Sequence, residues 1–321
     1  MFALTFLLAL PLAVAMRGAI ETHLGRSVVA AAVADGVDND WWQEFAQSAA
    51  PREGVPYELA TTLTPSVIGF AAVLENISGL VEARQPVTPV AAALAAYMLG
   101  WLFLSGGILD RYARQRPTRA HGFFAACGVY FFRFLRLGII AGLAYWLLFT
   151  YAGEWLIADL FADINRDLGS ERTAMLWAFA LYGTLGLLLL IVNLVIDYAK
   201  VRAVVEDRRS MLFALIAAIG FIARNPGRVI GLYALNALAF LLLLAVWMLV
   251  APGAGGAGAG MWMGFFAGQL YLLARLAMKL QFLASQTALF QHSLAHAGYV
   301  ASGSPAWPEA PIVEGVASPS A

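Results

Sequence analysis

Charged residues and cysteine are both scarce in this chain, and each scarcity excludes a class of protein. Asp, Glu, Lys and Arg make up 12% of the 321 residues, and the net charge is zero. Soluble domains carry about 25% charged residues, so this chain has too few to cover a surface exposed to water. The zero net charge indicates no nucleic-acid partner. Cys127 is the single cysteine, which excludes an intrachain disulfide and a metal site built from several cysteines.

Catalytic signatures are also missing from the sequence. It contains no nucleophile elbow, no Walker motif, no zincin signature and no pair of intramembrane aspartates. Outside the apolar stretches, the longest segment has about 70 residues and is itself interrupted by turn signals, which leaves no room for a soluble catalytic domain of ordinary size. We therefore expect a protein without enzymatic activity, cofactor or metal ion.

Long apolar stretches dominate what is present. Hydrophobic residues make up 61% of the chain, and the mean hydropathy is +0.74. A helix needs about 20 apolar residues to cross about 30 Å of hydrocarbon. The sequence predicts an all-α, polytopic transmembrane bundle of about six spans with interfacial amphipathic helices. The domain covers 1–300 and is followed by a disordered cytoplasmic tail, 301–321. The predicted spans are 2–16, 87–109, 134–153, 173–196, 229–251 and 261–285.

The charge between the spans alternates in sign and predicts the orientation. The interval 17–86 has four arginines against nine acids, and 110–136 has six arginines against one acid. The interval 154–172 has two arginines and five acids, and 197–228 has six basic residues and three acids. Because Lys and Arg are retained on the cytoplasmic side in short loops, both termini are predicted to be cytoplasmic and 17–86 to be an extracytoplasmic loop.

Several segments between the spans are predicted to lie on the membrane surface. Residues 64–82 have one apolar helix face but two glutamates, which are costly in hydrocarbon, so a surface helix is favoured over a seventh span. Residues 40–49 contain aromatic side chains suited to the headgroup region. The amphipathic stretches 120–130 and 201–219 are predicted to lie along the cytoplasmic surface. Whether the short first span is cleaved as a signal peptide stays open.

Two stretches of the chain suggest an internal repeat. Each has an aspartate at the end of a span, then tyrosine, alanine and a basic residue, then an amphipathic stretch and further arginines. A new span with small residues four apart follows. The copies would be parallel, unlike the inverted repeats of many transporters. Chance similarity between two basic loops is the open alternative. The copies begin at Asp110 and Asp197, and their glycine pairs are Gly138 with Gly142 and Gly227 with Gly231.

A cluster of four charged residues is the candidate site. Arg275 and Lys279 lie inside the last predicted span, four residues apart on one face that Gln286 continues. One interpretation is a lining for an anionic ligand or headgroup. The other, which we favour from sequence, is structural: the cations reach the interface or pair with Asp110 or Asp197. We expect an ion pair between Asp197 and Arg275 or Lys279.

Other polar residues have simpler interpretations. His292 and His296 are four apart on a helix, but no third ligand or carboxylate accompanies them, so we predict no metal site. Asn193 and Asn236 lie within spans and are predicted to hydrogen-bond between helices. The glycine spacings, including that at Gly264, are predicted to permit close helix packing.

Some of these motifs resemble a known group of proteins. The relevant residues are the stretch from Asp197 to Arg202, its continuation through Asn225-Pro226-Gly227, and short elements of the last span. They resemble uncharacterised bacterial six-span membrane proteins, which are distantly similar to the membrane domain of some glycerophosphodiester phosphodiesterases. The resemblance implies a fold and a bacterial inner membrane. The phosphodiesterase chemistry of that family lies in a separate soluble domain that this chain lacks, so no catalytic residue is implied.

The sequence therefore leads to two expected functions. The first is a non-enzymatic membrane component: a subunit or scaffold of an assembly, or a lipid-interacting protein whose partners are the bilayer and other membrane proteins. The alternative is a transporter or permease subunit for a small or amphipathic solute. A transporter needs a hydrated polar path near the midplane, and the spans have only scattered Asn, Gln and Ser.

Cysteine labelling in intact cells tests the predicted orientation. Single cysteines replacing Ser48, Arg116, Asn165 or Ser304 are tested with a membrane-impermeant reagent. We expect labelling from outside only at positions 48 and 165, because the intervals around them carry the fewest basic residues relative to acids. Labelling of Arg116→Cys from outside would contradict this topology.

Overall fold

The described part of the chain is all-α. The computed structural model describes residues 1–25, 29, 40, 41, 44, 45, 88–115, 119–166, 169–250 and 258–296, and these ranges contain no β-strand. The predicted fold class is thereby confirmed. The helices are α1 (Phe2–Leu24), α2 (Thr88–Arg114), α3 (Ala120–Leu147), α4 (Phe161–Arg166), α5 (Glu171–Val205), α6 (Met211–Arg224), α7 (Pro226–Val250) and α8 (Ala259–His296). A π-helical segment, Leu148–Leu160, joins α3 to α4.

Five helices in the described part of the chain are long and apolar enough to cross a membrane. They are α1, α2, the continuous helix Ala120–Arg166, α5 and α7. The predicted sixth span, 261–285, lies within α8, which has 38 residues but is not among these five. Two cations and several glutamines lower the hydropathy of α8. Five of the predicted spans thus have matching helices, and the sixth stays a prediction.

The third predicted span is part of a much longer helix. Ala120–Arg166 has 47 residues, which at 1.5 Å per residue is about 70 Å, against about 30 Å of hydrocarbon. Its first turns contain the stretch 120–130, which was predicted as a separate surface helix, and its last turns contain much of the predicted loop 154–172. The prediction of a separate helix at 120–130 was wrong, because no proline interrupts the helix from Ala120 to Arg166 and the apolar pattern runs on through Phe134.

The second amphipathic stretch, 201–219, is built differently. Helix α5 continues past Asp197 to Val205, a turn follows, and α6 is a separate helix of 14 residues that ends before Pro226. A separate helix is present in this stretch as expected, but it begins at Met211, not at Val201; that it lies on a membrane surface stays a prediction. Because one copy has a continuous helix where the other has a break at Asn225, the internal repeat remains a hypothesis from sequence.

The main core lies at the end of the bundle where the basic residues cluster. Here the C-terminal turns of α2 and α5 meet the first half of α3, the whole of α6 and the last turns of α8. The opposite ends of α5, α7 and α8 expose large apolar side chains. The buried residues include Leu109, Tyr130, Phe134, Leu137, Tyr198, Val201, Ala218, Phe221, Val229 and Phe290.

Two arginine side chains connect α3 and α5 to the α5–α6 turn and to α6. Arg133 on α3 pairs with Asp207 in the turn, with 2.6 Å between Nη1 and Oδ1. Arg202 on α5 pairs with Glu206 at 2.6 Å and donates a hydrogen bond to the Ala217 carbonyl of α6. The charge pattern predicted that these arginines lie at a cytoplasmic surface. Their side chains also connect separate parts of the bundle.

The N-terminal helix carries a small core of its own. Trp41 and Phe45 are buried against Met16, and the Trp41 indole donates a hydrogen bond to His23 Nδ1 at 3.1 Å. These aromatic side chains, predicted to lie at the headgroups, thus pack on α1. The predicted surface helix 64–82, most of the loop 17–86 and the tail 301–321 lie outside the described residues.

Close packing of α2 against α3 in the core uses glycines that the spacing argument did not single out. A Cβ atom at Gly107 would lie 2.6 Å from Cys127 Sγ, and one at Gly106 would lie 2.8 Å from Tyr130 Cβ. At Gly138, by contrast, a Cβ would be 3.3 Å from a flexible leucine side chain, and at Gly227 no described atom lies within 4 Å. Adjacent small residues on α2, not the predicted spacing, allow α2 and α3 to pack closely.

Substitution of Gly107 tests this packing. Gly107→Ala should lower the thermal unfolding temperature in detergent, because the added methyl group forces α2 and α3 apart at a cost of about 1–3 kcal/mol. The matched control is Gly128→Ala on α3, where no described atom lies within 4 Å of the new Cβ. The control should be neutral or slightly stabilising. Equal melting temperatures for the two variants would contradict the close contact.

Candidate functional site

A cavity of about 290 Å³ lies between four helices, next to the main core. Its walls are mixed: α2, α7 and α8 contribute aromatic and aliphatic groups, and α5 and α8 contribute charged and amide side chains. Such a mixture is typical of small-molecule sites, in which a few polar groups orient a mainly apolar ligand. The lining residues are Trp101 of α2, Asn193, Asp197 and Lys200 of α5, Tyr233 and Phe240 of α7, and Met278, Lys279, Phe282, Leu283 and Gln286 of α8.

Asn193 organises one wall of the cavity. Its amide Nδ2 donates to the Tyr233 hydroxyl on α7 and to Asp197 Oδ2 at 3.4 Å, and its Oδ1 accepts from the Tyr145 hydroxyl on α3 at 3.4 Å. Asn236 on α7 similarly donates to Ser285 Oγ on α8 at 3.0 Å. The predicted role of both asparagines in hydrogen bonding between helices is confirmed.

The carboxylate of Asp197 is paired within its own helix. Lys200 Nζ lies 3.0 Å from Asp197 Oδ1, one turn along α5, and both side chains are 16% exposed. The expected ion pair of Asp197 with Arg275 or Lys279 is absent among the described residues, so that prediction was wrong. The reason is local: Lys200, three residues away on the same helix face, reaches the carboxylate without any contribution from α8.

Lys279 reaches the cavity from α8 without an acidic partner in the described part of the chain. Its Nζ donates to the Tyr97 hydroxyl of α2 at 2.8 Å. It also lies 5.3 Å from the Tyr97 ring centroid and 5.1 Å from that of Trp101. Two aromatic rings on α2, four residues apart, thus hold the ammonium group by cation–π contacts. The four-residue spacing of Tyr97 and Trp101 in the sequence would have indicated that both rings lie on one face of α2, where a cation could contact them.

Gln286 is the least satisfied polar side chain of the cavity. It is only 1% exposed, and neither Oε1 nor Nε2 has a hydrogen-bond partner among the described residues. A buried polar group without a partner costs about 1–3 kcal/mol, so such groups need an explanation. The sequence placed Gln286 on the stripe of Arg275 and Lys279, but it did not indicate that the amide would be buried.

The other two residues of the predicted charge cluster lie elsewhere. Asp110 is buried and pairs with Arg114 at 2.8 Å, and it accepts a hydrogen bond from the Tyr130 hydroxyl at 3.4 Å. Arg275 lies over the Tyr271 ring, 5.6 Å from its centroid. Neither residue lines the cavity. The structure therefore brings together Asp197 and Lys279 of the predicted four, and it adds Lys200 and Asn193.

The described residues contain no group of three or more His, Cys, Asp or Glu side chains that could hold a metal ion.

Comparison with known proteins yields no match: no family model, no curated protein and no solved structure is significantly similar to the chain. The resemblance to six-span bacterial proteins therefore rests on the sequence motifs alone.

A double-mutant cycle tests the assignment of Asp197 to Lys200. Asp197→Asn and Lys200→Gln should each lower the unfolding temperature, because each leaves the other charge unpaired. Together they should cost less than the sum, with a coupling of about 0.5–3 kcal/mol. The control cycle combines Asp197→Asn with Arg275→Gln, which share no contact, and should be additive. Stronger coupling in the control cycle would restore the pairing expected from sequence.

Proposed function

We propose that the protein is a non-enzymatic integral membrane component that interacts with lipid at its basic-loop face and serves as a subunit or scaffold of a membrane assembly. The observation that carries this proposal is helix α6, which is apolar on both of its faces. The motifs and loop charges favour a bacterial inner membrane with both termini in the cytoplasm, so that α6 would lie against the cytoplasmic leaflet.

One face of α6 belongs to the core, with Ala214, Ala218 and Phe221 buried. The other face is exposed although it is strongly apolar: Phe213 is 66% and Ile216 is 64% exposed. A helix whose outer face lies in water would carry polar groups on that face. Leu212 and Ile219 continue the same exposed stripe.

Arginines flank this apolar stripe. Arg209 precedes α6 and is exposed, and Arg224 is in its last turn. Apolar side chains facing outward between basic residues are typical of helices that insert into the headgroup region of anionic membranes. The exposed apolar faces of the long helices likewise suit lipid or other membrane proteins, since a soluble protein rarely exposes so much contiguous apolar surface.

Spin-label accessibility tests the placement of α6. Nitroxide labels are attached to Phe213→Cys or Ile216→Cys in a Cys127→Ser background, and the protein is reconstituted into vesicles containing phosphatidylglycerol. Labels in the apolar part of the bilayer should collide more often with oxygen than with a water-soluble nickel chelate. The control label at Arg209→Cys should favour the nickel chelate. Labels at 213 and 216 that behave like the control would place α6 in water and contradict the proposal.

The cavity favours one alternative, a transporter or permease subunit for a small or amphipathic solute. Polar groups in the interior of a membrane bundle are characteristic of solute pathways, and here they line a defined volume between α2, α5, α7 and α8. Solute flux into vesicles that contain only this protein would favour transport over a scaffold.

A further inference from the structure

We propose that the cavity between α2, α5, α7 and α8 is a binding site for an organic anion: a carboxylate or phosphate group carried on a short apolar body. Lys279 would bind the anionic group, Gln286 would hydrogen-bond it or a neighbouring polar atom, and the aromatic wall would contact the apolar body. The proposal rests on cavity geometry and does not depend on where α6 lies.

The charge of the lining is the first argument. Asp197 and Lys200 compensate each other at 3.0 Å, so Lys279 leaves the cavity with one uncompensated positive charge. Ionisable groups inside membrane bundles normally pair with an opposite charge or serve a ligand. The Tyr97 hydroxyl and two aromatic rings solvate the ammonium group, but none of them carries a negative charge. An anion is the missing partner.

The unpaired amide of Gln286 is the second argument, and it is independent of charge. The side chain lines the same cavity, is 1% exposed, and has two unpaired atoms in the described structure. Nε2 can donate to a carboxylate or phosphate oxygen, and Oε1 can accept from a hydroxyl or amide. Gln286 lies seven residues from Lys279, which is about 10 Å along α8, and both long side chains line the same cavity. A ligand that spans about that distance, or an anionic group between the two side-chain ends, can therefore contact both residues.

The shape and the remaining lining define the rest of the ligand. Trp101, Phe240 and Phe282 provide an apolar wall. The volume of about 290 Å³ is at the lower end of the range for small-molecule sites, so it accommodates an anionic head with a short chain, not a whole phospholipid. The same chemistry is available from a soluble amphipathic acid or from the headgroup region of an anionic lipid.

Calorimetry in nanodiscs tests the site with octanoate as the probe. The full-length protein is reconstituted in phosphatidylcholine nanodiscs, and the heat from empty nanodiscs is subtracted. Octanoate should bind saturably, and octanol, which has the same chain without the charge, should bind at least about tenfold more weakly. Equal affinity for octanoate and octanol, or no saturable octanoate binding, would overturn the proposal.

Two variants assign the contacts. Lys279→Gln should weaken octanoate binding by about tenfold or more, whereas Arg275→Gln, which removes a cation one turn away outside the cavity, should leave the affinity unchanged. Gln286→Met should weaken binding as well. It should also raise the unfolding temperature of the ligand-free protein, because it removes the unpaired buried amide. Equal losses in Lys279→Gln and Arg275→Gln, or full affinity in Gln286→Met, would refute the site.

A last comparison distinguishes the source of the anion. Octanoate binding is compared between phosphatidylcholine nanodiscs and nanodiscs containing phosphatidylglycerol, both at about 1 M salt, where screening extends over about 3 Å. Weaker octanoate binding in the phosphatidylglycerol nanodiscs would support a lipid headgroup as the resident anion. Unchanged octanoate binding would support a soluble amphipathic acid. Either result presupposes saturable binding that depends on Lys279, without which the site is overturned.

Discussion

The cost of placing charge in hydrocarbon is the constraint on which the rest of this structure depends. With few charged residues available, the chain confines nearly all of them to the intervals between apolar stretches, and the bundle compensates those that must lie inside it. Asp110 is held by Arg114 and Tyr130, and Asp197 by Lys200. Each pairing is made within one helix or across one hairpin, where a short sequence separation keeps the partners together. Lys279 is the cavity-lining charge for which the described chain provides only aromatic and hydroxyl groups.

That distribution of charge also explains where the bundle is packed. At the basic-loop end, Arg133 of α3 pairs with Asp207 in the α5–α6 turn and Arg202 of α5 donates a hydrogen bond to α6, and the main buried core lies beside them. Toward the other end, the described residues of α5, α7 and α8 expose large apolar side chains. In lipid this exposure has no hydrophobic cost, because the surrounding tails are as apolar as the side chains themselves.

The sequence was sufficient for the fold class, because composition and the length of apolar runs determine whether helices can cross a membrane. It was insufficient for helix ends: the same apolar periodicity predicted surface helices at 120–130 and 201–219, yet α3 runs straight through the first, and only part of the second forms α6. Proline distinguishes the two cases: none interrupts the helix from Ala120 to Arg166, whereas Pro226 separates α6 from α7. The site was partly accessible, since Lys279, Asp197 and Gln286 were noticed on their helices. Which of them would meet across α2, α5, α7 and α8 depends on helix rotation, and a single sequence does not determine that rotation.

The contacts between α8 and its neighbours determine which polar groups remain unpaired in the cavity. Hydrogen bonds between described residues connect α8 to its neighbours, among them those of Lys279 with Tyr97, Asn236 with Ser285, and Gln291 with the Ala113 carbonyl. Because Asp197 is neutralised inside α5, no ion pair in the described chain fixes the distance between α5 and α8. A strong ion pair across the cavity would occupy the charged groups of both walls, and it would have to be broken before a ligand could bind there. With the pair confined to one helix, the opposite wall keeps a positive charge and an unpaired amide available, and a ligand can contact both without displacing a carboxylate.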